Sequence, residues 1–168
     1  MKKIIIVDEN DKIIGIKERG TLEPGDIYRV SALWIQNSKN EILLVQRSFN
    51  KNNDPGKWGP AVAGTIDEGE TYETNIIKEA EEEIGLKDHN FKKSFYRKNN
   101  GEHKHFTQWF FASIDKNIKD FKIQKEEVEQ IKWFKKEELL RELENNPDKF
   151  FKSIKYCVNY FDLPPTLD

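Results

Sequence analysis

The sequence predicts an α/β fold in which helices pack against a mixed β-sheet. Three observations carry this expectation. Short apolar and β-branched runs recur along much of the chain, as in Ile4–Val7 and Ile42–Val45. One segment among them, residues 71–85, instead repeats its apolar residues at three- and four-residue spacing, the period of a helix. After a last strand-like run the chain closes with two more helical segments, so strands and helices are interleaved.

Taken in order, residues 3–8 and 12–17 flank Glu9-Asn10-Asp11 and predict an opening hairpin. Gly20, Pro24 and Gly25 punctuate the connection that follows. Strands are expected at Ile27–Gln36 and Glu41–Gln46, joined through the polar turn Asn37–Asn40 into a second hairpin. The cluster of Asn, Asp, Pro and Gly over Asn50–Pro60 predicts a surface loop, and Ala61–Thr65 a short strand. Thr71 is placed to N-cap a helix, with Ile76, Ile77, Ala80 and Ile84 as its apolar face and Gly85 as its end. Strands follow at 92–97 and 105–114 around the Asn99-Asn100-Gly101 turn, then at 128–134. Lys135–Leu143 and Pro147–Phe161 are expected as helices, and the tail 162–168, with Pro164 and Pro165, as irregular.

At 168 residues the chain suits one domain, 1–168, large enough to bury a core without disulfides. Charged residues make up 35%, yet the apolar runs argue for a soluble folded protein rather than a disordered one. The net charge is only −2, from 28 basic and 30 acidic residues, so there is no global field to recruit nucleic acid or an anionic membrane. A polyanionic small molecule would have to be met locally. The apolar run after Lys2-Lys3 stops at Asp8, too short for a signal peptide, and the single Cys157 is expected as a core residue in a reducing cytoplasm. Nothing in the sequence decides the oligomeric state, and a homodimer stays open.

The helix carries the chemistry. Glu79, Glu81, Glu82 and Glu83 crowd into little more than one turn, at the C-terminal end where the helix dipole also disfavours negative charge. Glu79, Glu82 and Glu83 stand at i, i+3 and i+4 and are expected to share one face. Converging carboxylates are hard oxygen ligands suited to magnesium or manganese. A solvated acidic face is the alternative, and the loop before the helix shifts the balance. Gly64 and Gly69 bracket a tight strand-to-helix connection where a backbone carbonyl could approach a metal.

The segment Gly64–Leu86 resembles the Nudix box, a glycine, five residues, a glutamate, seven residues, then Arg-Glu-aliphatic-any-Glu-Glu-any-Gly-aliphatic. Here it reads Gly64, Glu70, then Lys78-Glu79-Ala80-Glu81-Glu82-Glu83-Ile84-Gly85-Leu86, and only the arginine departs, as Lys78. The resemblance implies the Nudix fold, an α/β/α sandwich around a mixed sheet, and Mg2+-dependent hydrolysis of a diphosphate linkage, with Mn2+ as a substitute metal. Glu79, Glu82, Glu83 and the main-chain carbonyl of Ala63 would hold the metal. Glu70 would brace the loop, with Gly64, Lys78 and Gly85 as further structural positions. Glu79, then Glu82, is the expected acceptor of the water proton. A further acidic ligand, by the family's pattern, is assigned to Glu127, with Glu126 and Glu129 behind it.

Beyond the box, Arg29 and Arg47 lie on or beside strands and are candidates to grip phosphate oxygens. Trp34, Trp58, His103, His105, Phe106 and Trp109 offer stacking surfaces for a base, but strand aromatics usually belong to the core, which leaves Trp58 as the surface candidate. The expected partner is a free nucleotide or other small diphosphate, with a lean towards nucleoside di- and triphosphates. The N-terminal segment and Gln46-Arg47-Ser48 resemble the branch beside isopentenyl diphosphate isomerase. That chemistry needs a cysteine and a metal-binding histidine just before the box, where this chain has Ala63 and Thr65. A non-catalytic nucleotide-binding regulatory module is the other alternative, and the retained glutamates speak against it.

Overall fold

The computed structural model describes residues 2–161, and among these described residues it has nine strands and three helices. They are β1 (Lys3–Val7), β2 (Ile13–Glu18), β3 (Ile27–Gln36), β4 (Ile42–Arg47), β5 (Trp58–Pro60), β6 (Val62–Thr65), α1 (Tyr72–Ile84), β7 (Lys92–Asn99), β8 (His105–Ser113), β9 (Val128–Phe134), α2 (Lys136–Asn145) and α3 (Ser153–Tyr160). The expectation for the tail 162–168 lies outside the described residues. The chain divides into two compact units. One joins residues up to Trp34 with Val62–Ala112, and the other joins Ile35–Ala61 with the residues from Ser113 on.

In the first unit β1 and β2 form the expected antiparallel hairpin, with Ile4 opposite Lys17 and Ile6 opposite Gly15. Its turn is closed by the Asp8 carboxylate, which accepts the N–H groups of Asn10 at 2.8 Å and Lys12 at 3.0 Å. Strand β3 pairs with β1 at Ile27 and Tyr28, then with β6 from Val30 to Leu33. Strands β7 and β8 pair antiparallel, and their turn starts later than expected because Asn99 still belongs to β7, paired with His105; β8 also pairs with β3. The apolar faces meet in a cluster of Ile5, Val7, Ile27, Ile66 and Phe106, with Tyr72 of α1 against it. Helix α1 lies on β6, so the loop between them is held at both ends.

In the second unit β4 pairs with both β5 and β9. Its Ile42, Leu43 and Leu44 are all buried, a continuous apolar run rather than an alternating one, as a strand covered on both faces requires. The expected hairpin of β3 with β4 shrinks to two rungs, Ile35–Leu43 and Gln36–Ile42, because β3 gives Val30–Leu33 to β6 instead. The Asn50–Pro60 loop ends earlier than expected, since Trp58–Pro60 is a strand against β4.

The last expected helix also starts later. Pro147–Lys149 is a single 3-10 turn, Phe150 forms a parallel bridge with Trp58, and the Phe151 N–H donates to the Trp58 carbonyl at 2.8 Å. That extended pairing prevents helix until Ser153. Leu139, Ile154, Cys157 and Val158 fill the core here, so Cys157 has the buried place expected of it. Among the described residues no helix is long and apolar enough to cross a membrane.

Candidate active site

Helix α1 is fixed at both ends by its own sequence. The Thr71 hydroxyl accepts the Thr74 N–H at 3.1 Å and the Thr74 hydroxyl accepts the Thr71 N–H at 2.9 Å, a reciprocal cap. At the other end Gly85 takes the left-handed conformation, φ 68°, which a glycine adopts without steric penalty. The buried side of the helix is Asn75, Ile76, Ala80 and Ile84. Ile77, assigned to that side from spacing, is 56% exposed. It stands one residue round from Ile76, about 100° away on a helix, and the adjoining buried position is filled by Asn75.

Asn75 is the residue that sequence reasoning missed. Its amide nitrogen donates to the Thr65 carbonyl at 3.1 Å and to Glu70 at 2.8 Å, while its oxygen accepts the Ser31 hydroxyl. One buried amide thereby ties β3, the end of β6 and the loop to the helix. A signal existed: a polar residue with poor helix propensity standing in the apolar stripe of an otherwise strong helix.

Glu70 closes the loop from its other side. It accepts the Asp67 N–H at 2.9 Å, the Asn75 amide and the Lys78 ammonium. Burial alone would raise its pKa, but Lys78, the Asp67 N–H and Asn75 together hold it below the usual glutamate value. Lys78 reaches three carboxylates: Glu70, Asp67 at 3.3 Å and Glu79 at 3.5 Å. Burial acts to lower its pKa, and Glu70, Glu79 and Asp67 outweigh that, so the ammonium stays charged well above its ordinary range. Lys78 therefore hydrogen-bonds the loop and meets Glu79 as a charge at longer range. The second carboxylate oxygen of Asp67 is buried without a hydrogen-bond partner.

Glu79 lies against Gly64. A Cβ at Gly64 would come within 2.5 Å of Glu79 Cγ and 2.9 Å of Asn75 Oδ1, so only glycine leaves room for this carboxylate beside the strand. Burial raises the Glu79 pKa, with Glu82 adding to the rise and Lys78 and a hydrogen bond with Glu83 opposing it. No basic residue occupies the last turn of α1. The expected convergence is thus partial: Glu83 is half-buried and acts to lower the Glu79 pKa, whereas Glu82 is exposed and acts to raise it through its charge. Among the described residues, no three His, Cys, Asp or Glu side chains form a ready metal cage. The donor chemistry nevertheless fits a hard divalent cation. It is all oxygen, under-neutralised, and set on a cradle that Gly64 leaves open.

The other candidates have defined places. Ala63 is exposed on β6, opposite Ala32. Arg29 gives its Nε to Asp11 Oδ1 at 2.6 Å and an Nη to the Asp11 carbonyl at 2.7 Å, so its fork is engaged by the hairpin turn instead of standing open for phosphate. Asp11 also accepts the hydroxyls of Tyr72 at 3.1 Å and Tyr96 at 2.7 Å. In the second unit, Arg47 donates to the Asn53 carbonyl at 2.6 Å and braces its loop. Trp58, expected at the surface, is half-buried edge-on to Phe134. Glu127 lies in the turn before β9, rather than on a strand edge, and pairs with Lys51 at 2.8 Å, while Glu126 and Glu129 are exposed. Trp34, Phe106 and Trp109 are core residues. His105 stacks on Tyr28, and burial lowers its pKa.

Comparison with known proteins places the chain in a family. A family model described as the NUDIX domain matches residues 27–154. An uncharacterised Nudix hydrolase of Listeria monocytogenes is 30% identical over 144 residues, covering 83% of each chain. An isopentenyl-diphosphate Delta-isomerase of Photorhabdus laumondii is 32% identical over 88 residues, but this match spans only 51% of the present chain and 50% of the relative. Among solved structures, DR0079 from Deinococcus radiodurans superposes with a TM-score of 0.78 at 20% identity, over 94% of this chain and 98% of that one. The NUDIX domain of Shewanella oneidensis NrtR, solved with ADP ribose, superposes with a TM-score of 0.59 at 20% identity, over 74% and 82%. The expected α/β fold with a mixed sheet is that of the solved Nudix structures.

Proposed function

The chain belongs to the Nudix family, and on that premise we propose that it is a divalent-metal-dependent hydrolase of a diphosphate linkage in a nucleoside di- or triphosphate or a related nucleotide. The observation that carries the reading is Glu79 seated against Gly64 on a helix end with no basic residue of its own. Crowded carboxylates of this kind weaken a fold, and a bound cation is the group that would repay their proximity. Glu79, Glu82, Glu83 and the Ala63 carbonyl would hold Mg2+ or Mn2+. Bound there, the cation would neutralise phosphate oxygens and make water more acidic.

The chain's own residues do the rest. Lys78, Glu70 and Asn75 fix the loop and the helix as one body, so that Glu79 is presented at a set position. Glu79 is the preferred proton acceptor, because it is seated against Gly64 beside the strand with the Lys78 ammonium 3.5 Å away, a set position from which a carboxylate can take a proton. Hydrolysis is preferred to isomerisation because Ala63 and Thr65 stand where the isomerase chemistry needs a cysteine and a histidine. The ADP ribose bound by the NrtR domain supports a nucleotide-derived substrate.

Incubation with a panel of nucleoside diphosphate derivatives is expected to give hydrolysis of at least one with Mg2+ or Mn2+. Chelator should abolish it and added metal restore it. A panel that binds without turnover under either metal would replace this reading with that of a nucleotide-sensing module.

A further inference from the structure

We propose that the opening hairpin of β1 and β2 clamps the loop that carries Glu70, and that Asp11 in its turn is a positioning residue for Glu79; the proposal rests on the hydrolase reading above. The hairpin lies before residues 27–154, the span matched by the family model. Along the edge away from β2, strand β1 pairs with β3 at Ile6 and Val7 and then with the loop itself. The Ile5 N–H donates to the Ile66 carbonyl at 3.4 Å, Ile4 bridges to Asp67, and the Glu68 N–H donates to the Lys3 carbonyl at 2.8 Å. Glu70, Asn75 and Lys78 hold the loop from the helix side, so the hairpin supplies its other wall.

Asp11 closes the clamp where the loop gives way to α1. Its carboxylate accepts the Arg29 Nε of β3 at 2.6 Å, the Tyr72 hydroxyl at 3.1 Å and the Tyr96 hydroxyl of β7 at 2.7 Å. Tyr72 is the first residue of α1. Its ring packs on the core cluster of this unit, with the Arg29 guanidinium 5.5 Å from its centroid. A hydrogen bond to Tyr72 therefore fixes where the helix starts. Glu79 follows seven residues later, two turns on and about 20° round from the same side, so a shift of the helix start is carried to Glu79. A displacement of about 1 Å is enough to cost a reaction about 100-fold. The Asp11 and Arg29 side chains are 16% and 17% exposed, and this charge-assisted contact anchors the turn to β3.

Asp11→Asn is the variant of choice, because Asp11 has φ 59° and asparagine tolerates that left-handed backbone while removing the charge. In the metal-free full chain, hydrogen exchange at the Glu68 and Glu70 amides is expected to quicken at least about tenfold, while the Leu43 and Leu44 amides of β4 keep their rates and so exclude general unfolding. With saturating Mg2+, kcat for the panel nucleotide that the parent chain cleaves should fall about tenfold, with KM within about twofold. Tyr72→Phe should lower kcat in the same way. Tyr96→Phe, which removes an equivalent bond on the β7 side, should keep it. Unchanged exchange at Glu68 and Glu70, parent-like kcat in Asp11→Asn, a loss confined to KM, or equal losses from the two tyrosine variants would overturn the proposal. Exchange needs neither metal nor substrate, so an inactive parent chain would remove the hydrolase reading while the clamp is still decided by exchange.

Discussion

Glu82→Gln and Glu83→Gln are each expected to lower turnover by at least about 100-fold, beyond what loss of an outer-shell partner costs a metal site, while the protein stays folded. Neither side chain is part of the buried stripe of α1, which is made by Asn75, Ile76, Ala80 and Ile84. Both belong to the acidic end that lacks a basic residue in its last turn. Removing one negative charge there relieves repulsion and a mismatch with the helix dipole, so the melting temperature should hold or rise. Activity and stability should then move in opposite directions. Glu79→Gln should show the stability gain most clearly. Its carboxyl has a raised pKa in the folded chain, so the ionised form weakens the fold, and the gain should be absent at acid pH and grow as pH rises through the raised value. Thermal melts and turnover assays at several pH values check this. Near-normal turnover in both Glu82 and Glu83 variants would return the helix end to a solvated acidic surface.

Lys78→Ala should have the second largest effect, and on both fold and turnover. It would leave Glu70, Asp67 and Glu79, whose side chains are 13% to 17% exposed, without their shared cation. Breaking a fully buried pair costs about 3–5 kcal/mol; with Lys78 about one-third exposed, solvent screening reduces this to about 2 kcal/mol. The loop would then lose its hold on α1 and Glu79 its set position, so turnover should fall well beyond what a surface lysine causes. Lys78→Arg should keep or raise turnover, since a guanidinium supplies the charge and adds a planar fork. Parent-like turnover in Lys78→Ala would show that Asn75 and Glu70 orient Glu79 without it.

The part of the architecture set by local pattern was legible in the sequence. Helix α1 has the expected Thr71 cap and Gly85 end because both signals act within a few residues of the chain. Strands β3 and β9 have the expected bounds for the same reason. What escaped depends on contacts far along the chain. The Pro147–Phe161 segment looks helical, yet its first part pairs with Trp58 and is extended there. Ile77 fits the apolar period but falls just outside the stripe, where Asn75 is bound by Ser31, Thr65 and Glu70.

The same distinction holds at the site. Spacing alone placed Glu79, Glu82 and Glu83 on one helix end. It could not show that Gly64 is there to admit the Glu79 side chain, that Lys78 also reaches Asp67, or that Arg29 is held by Asp11. Each of those depends on which residues a hairpin or loop brings back to the helix.

The most direct measurement is to turn over a cleaved nucleotide with Mg2+ in water enriched in heavy oxygen and to identify both products by mass. The account predicts two phosphorylated products that together restore the substrate plus one water, with a single heavy oxygen on one phosphoryl group. A product with the substrate's own mass, or a heavy oxygen found only on carbon, would contradict it.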